Sequence, residues 1–112
     1  MKRFEKLKQN WEFQRTYKRG KTFVSPFFVL YVVQNKKQSI RLGITAGKKI
    51  GGAVKRNRAK RVITAAFSNL RPIIQEGYDF VVVARVRILG AKSTQVEAVM
   101  KEQLKCAGLL KE

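Results

Sequence analysis

A chain of 112 residues, 45% of them hydrophobic, has room for one domain with a real core and none for a second. It carries 25 Lys and Arg against 7 Asp and Glu, has no His, and bears a net charge of +18, an excess that favours a polyanionic partner. A single Cys106 without any His removes internal disulfides, ordinary zinc sites and Ser-His-Asp chemistry, and points to a reducing compartment, the cytoplasm.

Taken in chain order, residues 1–9 are charged and expected to be flexible. Asn10 then caps a short helix, with Glu12 near its positive end and Gly20 just past its close. Phe13 and Tyr17, four apart, share one face of it. Residues 22–33 read as a strand with Pro26 at an edge or bend near its start. The polar turn of residues 35–39 leads into a second strand over 40–46, and the two strands are expected to pair as an antiparallel hairpin. The longest apolar run, residues 27–33, is too short to span a bilayer, and no apolar stretch follows the basic N-terminus, so neither a membrane span nor a secretory signal is expected.

After a glycine-bearing connector, residues 53–70 turn helical. Ala59, Val62, Ile63, Ala66, Phe67 and Leu70 recur at spacings of three and four and make one apolar stripe, which Pro72 and Gly77 end. Residues 78–84 form a third strand, dense enough in Val and Phe to be buried on both faces. Thr94 with Glu97 suggests a capping box for a last helix running to about Ala107, with Gly108 after it. The order α-β-β-α-β-α describes one α+β domain over residues 1–112.

The charge is concentrated. Residues 13–75 hold 15 Lys and Arg and no acidic residue. On the helix from Ala53, Asn57, Lys60, Arg61 and Thr64 lie opposite the apolar stripe, flanked by Arg56, with Lys55 and Arg58 near its borders. Lys48 and Lys49 extend the patch upstream. No Glu or Asp compensates at the neighbouring helical positions, so a solvated charged face is the weaker reading and phosphate recognition the stronger. A Walker loop is excluded, because the glycine spacing is wrong and no Ser or Thr follows the lysine.

Aromatic residues gather early in the chain. In the first strand Phe27, Val29, Tyr31 and Val33 face one way, and Phe28, Leu30 and Val32 the other. In the second, Arg41, Gly43, Thr45 and Gly47 make a small, polar face suited to an open floor. With Tyr31 beside it and Phe13 and Tyr17 above, it would form a cleft for stacked bases. The same three aromatics could equally be core. Asp79 reads as structural, and Cys106 as an ordinary small side chain.

Lys48-Lys49-Ile50-Gly51 followed by Ala53-Val54-Lys55-Arg56-Asn57-Arg58-Ala59-Lys60-Arg61 closely resembles the signature of the bacterial ribonuclease P protein subunit. Leu7-Lys8, Asn10 and Phe13 resemble its opening helix, residues 28–31 its first strand and 78–85 its third. The resemblance implies helices packed on a small mixed sheet with a cleft between the first helix and the sheet, the ribosomal protein S5 domain 2-like fold, including a left-handed crossover between two parallel strands. It implies an RNA partner that is the catalyst and holds most of the Mg²⁺, cleaving the 5′ leader from precursor tRNA, with no catalytic or metal-binding side chain on the protein and no further protein partner. Lys48, Lys49, Arg56, Asn57, Arg58, Lys60 and Arg61 would meet the catalytic RNA, and Phe13, Tyr17 and Tyr31 the leader. The chain departs from the family at Thr64 and Ala65, where an arginine and a polar residue are usual, so the basic face is shorter there or Arg61 and Arg71 compensate. The alternatives are a structural RNA-binding protein such as a ribosomal one, a duplex-DNA regulator, and a protein-only nuclease relying on Asp79.

Overall fold

The computed structural model describes residues 4–111. Strand β1 (Glu5–Lys6) precedes helix α1 (Asn10–Arg19), and strands β2 (Lys21–Val24), β3 (Phe28–Gln34) and β4 (Ile40–Thr45) follow. A 3-10 turn at Lys48–Ile50 leads into α2 (Ala53–Leu70), then β5 (Tyr78–Ala84) and α3 (Ser93–Cys106). The strands form one five-stranded sheet in the order β1-β4-β5-β3-β2. β5 sits at its centre, parallel to β4 and antiparallel to β3. Phe80, Val81 and Val82 are fully buried, as a strand covered on both faces requires.

The sheet has two differently used faces. Phe28, Leu30, Val32, Leu42, Phe80 and Val82 point into the main core, where they meet Ile63, Ala66 and Phe67 of α2 and Val96, Met100 and Leu104 of α3. The apolar stripe on α2 is therefore the inner face anticipated from its spacing, with Val62 half-buried at its margin. Helix α1 covers the other face. No helix among the described residues is long and apolar enough to cross a membrane.

Several expectations are corrected in detail. Of the N-terminal segment, for which the sequence reading assigns no element, the described part carries β1, which pairs parallel to β4, and Leu7, which is buried; residues 1–3 lie outside the described residues. Burying Leu7 on the α1 side of the sheet supplies the apolar contact that holds this segment. The single strand over 22–33 is a hairpin, β2 antiparallel to β3. It breaks at Ser25-Pro26 because proline lacks an amide hydrogen, and the Ser25 hydroxyl donates to the Phe28 carbonyl at 2.8 Å and accepts from the Phe27 and Phe28 amides. Nor do β3 and β4 pair with each other, since β5 inserts between them. The turn after β3 is tied instead to the loop before β5: the Asn35 amide donates to the Gly77 carbonyl at 2.8 Å and the Gly77 amide to that of Ser39 at 3.0 Å.

Two caps also differ. Asn10 is the first helical residue and Gln9 the cap, with the Gln9 amide donating to the Glu12 carboxylate at 3.0 Å. At α3 the Lys92 amide donates to Gln95 at 2.8 Å, while Glu97 accepts from the Asn69 side chain of α2 at 2.8 Å. Glu97 thus ties two helices together instead of capping one.

Candidate nucleic-acid interface

Helix α2 begins at Gly52 without a side-chain cap and has no acidic residue in its first turn, so its free amides and positive dipole end stay available. Lys48, Lys49, Asn57, Arg58, Lys60 and Arg61 are exposed and Arg56 half-buried; Asn57 and Arg61 lie opposite the buried stripe of α2, Arg56 lies at the edge of the stripe, and Lys48 and Lys49 stand on the turn before the helix. Among the described residues, none of these cations lies within ion-pair distance of a carboxylate. Arg71 does not extend the patch: it is buried and lies 3.9 Å from Glu76. Thr64 is half-buried, donates to the Lys60 carbonyl at 2.8 Å, and shares with Lys60 the rim of a pocket of about 230 Å³.

Phe13 lines the same pocket. Its ring lies on Gly43, where a Cβ would stand 2.5 Å from the ring Cε1, so this position needs a residue without a side chain. Tyr17 and Tyr31 meet edge to face with ring centroids 4.9 Å apart, and the Tyr17 hydroxyl shares a hydrogen bond with that of Thr45 at 3.3 Å. The register places Gly43, Val81 and Tyr31 in one row across the sheet, with Thr45, Val83 and Val29 in the next. Phe13, Tyr17 and Tyr31 are each only half-buried. The three aromatics and the small floor thus assemble as a cleft between α1 and the sheet, and the shared pocket brings that cleft up against the basic face of α2.

What holds α1 over the floor lies beneath it. Arg41 donates through Nε and Nη2 to both oxygens of Asp79, at 2.8 and 2.7 Å, and through Nη1 to Glu12 of α1. Asn35 adds a bond to Asp79 at 2.8 Å. Burial alone would raise the Glu12 carboxyl, but the Gln9 and Lys8 amides and the Arg41 guanidinium outweigh it and hold it below its ordinary value. The bond to Asp79 raises the Arg41 guanidinium further, against burial, and it stays charged. This network escaped the sequence reading, although a carboxylate inside an apolar strand is itself the signal, because buried charge requires a partner.

Chemically the surface can bind phosphate and stack bases. Among the described residues no cluster of three His, Cys, Asp or Glu side chains is placed to hold a metal. Glu12 and Asp79, the carboxylates between α1 and the sheet, are both engaged by Arg41. A divalent ion does not fit this donor set.

Comparison with known proteins yields one consistent result. The family model described as Ribonuclease P matches residues 1–108. A ribonuclease P protein component of Clostridium kluyveri is 40% identical over 108 residues, covering 95% of this chain and 96% of its own. That of Oceanobacillus iheyensis is 38% identical over 112 residues, covering 99% and 93%. The structure of the Staphylococcus aureus RNase P protein superposes with a TM-score of 0.84 at 34% identity, over 97% of this chain and 100% of that one. The Thermotoga maritima protein gives 0.80 at 28% identity, over 90% and 96%.

Proposed function

The chain belongs to the ribonuclease P protein family, and from that premise we propose a division of labour across its surface. As a protein component of ribonuclease P it is a subunit of the ribonucleoprotein endonuclease that matures the tRNA 5′ end, with an RNA subunit and a tRNA substrate as its partners. The ribosomal alternative is not favoured by any of these relatives.

In this reading Lys48, Lys49, Arg56, Asn57, Arg58, Lys60 and Arg61 grip phosphates of the catalytic RNA, with the α2 N-terminus adding its dipole. Phe13, Tyr17 and Tyr31 receive the unpaired leader of precursor tRNA, whose bases stack without regard to sequence. In this reading Mg²⁺ belongs to the RNA, where it supplies the hydrolytic chemistry. The protein's residues bind and orient: holding the leader fixes where the scissile bond lies relative to the RNA. The reading places the complex in the cytoplasm and requires no second protein.

The observation that carries this reading is the pocket lined by both Phe13 and Lys60, because it joins the aromatic cleft to the basic helix in one continuous surface. Reconstitution at low Mg²⁺ tests it, comparing precursor tRNA with catalytic RNA, with protein, and with both. Cleavage only, or far faster, in the mixture is the expected result; a protein without effect on a cognate RNA overturns it. Arg61→Ala is expected to weaken assembly with the RNA, whereas Tyr31→Ala spares assembly and weakens substrate binding. Equal loss of both functions in both variants removes the two-surface arrangement.

A further inference from the structure

Helix α1 is a ridge with two flanks. The helical repeat puts Phe13 and Tyr17 on the cleft side and Trp11, Arg15 and Lys18 on the other. Beyond that second flank lies a groove of about 930 Å³, whose far wall is the turn carrying Lys36 and Lys37. Trp11 is 60% exposed, although α1 has an inner face available for apolar side chains. One carboxylate, Glu12, lines the groove against Arg15, Lys18, Arg19, Lys36, Lys37 and Arg41, so the field there is set by the cations. Arg15, on the same flank, donates through Nη2 to the Gln34 carbonyl at 3.3 Å.

We propose that this groove is a second binding site for single-stranded RNA, separate from the leader cleft, with phosphates on Lys18, Lys36 and Lys37 and one base stacked on the Trp11 indole. Cations alone would serve any polyanion, an acidic peptide included. The exposed indole among them distinguishes a strand with accessible base faces. A duplex keeps those faces stacked internally and cannot use it. The site would let α1 be gripped by RNA on both sides, so a strand crossing the cleft and another segment beyond it could be held together.

Trp11 is the single tryptophan, so its emission reports on this groove alone. The full chain is titrated with a short oligoadenylate and, separately, with an RNA duplex of equal charge. Saturable quenching by the single strand and little by the duplex is expected. Replacing both lysines (Lys36→Glu with Lys37→Glu) should weaken the quenching titration roughly tenfold, through lost phosphate contacts. These side chains are exposed in a turn, so the fold should survive. Tyr31→Ala should leave the titration unchanged. Absence of quenching, equal quenching by the duplex, indifference to the lysine pair, or loss with Tyr31→Ala would each overturn the proposal. The last result would return Trp11 to the leader cleft and leave the assignment of that cleft standing.

Discussion

Arg41 reaches two elements at once: Asp79 on β5 and Glu12 on α1, one residue from Phe13. Losing the Glu12 carboxylate therefore loosens the helix that roofs the cleft, and Glu12→Gln is expected to cost about 1–3 kcal/mol at neutral pH. Because the folded carboxyl is held below its ordinary 4.5, its contribution is complete above that value and disappears as pH falls through the lowered one. Urea unfolding should accordingly show a gap between native and Glu12→Gln chains at neutral pH that narrows as the solution is acidified below the ordinary carboxylate range. A gap that persists in acid denies the carboxylate this role. Gly43→Ala works on the same cleft from below, by driving a Cβ into the Phe13 ring. Precursor-tRNA binding should weaken by about fivefold or more while affinity for the catalytic RNA stays unchanged. Phe13, Tyr17 and Tyr31 were legible as candidates because each strand face and helix face follows from spacing. Arg41 was not, since its partner Asp79 lies 38 positions away and only the sheet register makes them neighbours.

Helix α2 was readable to both of its ends, because its apolar stripe runs unbroken from a glycine pair to Pro72. The hairpin β2–β3 was not, since apolar residues continue on both sides of Ser25-Pro26 and no change of period marks the break. The pairing of β3 with β4 failed for a different reason: adjacency along the chain does not reveal that a later, more apolar strand competes for the same edge. The uncompensated charge on α2 has a measurable consequence. Asn57→Glu places a carboxylate near the positive helix end and four residues before Arg61, which should stabilise the free protein by about 0.5 kcal/mol. The same change should weaken binding to the catalytic RNA by about tenfold. Thermal unfolding and equilibrium binding, done side by side, should move in opposite directions; a helix face that is merely solvated would gain stability and lose no affinity.

Over the whole molecule, few acids remain to balance the surface. Glu12 and Asp79 serve Arg41, Glu76 lies 3.9 Å from both Arg71 and Lys111, and Glu97 holds Asn69. Most of the net +18 is therefore presented outward, and affinity for the catalytic RNA should fall steeply with salt. Removing Arg58 and Arg61 together should shallow the slope of log affinity against log salt by about 1–2, whereas Tyr31→Ala should lower affinity for precursor tRNA without changing that slope. The sheet carries a further consequence in time. Its middle strand, β5, is the last strand in the chain, so β3 and β4 have no common neighbour until residues 78–84 have been synthesised. A nascent chain that stops short of them holds two apolar strands with open edges and an already complete cationic helix. The means of gripping RNA is thus made before the platform that aims it, and correct assembly depends on the C-terminal third arriving before a nearby polyanion does.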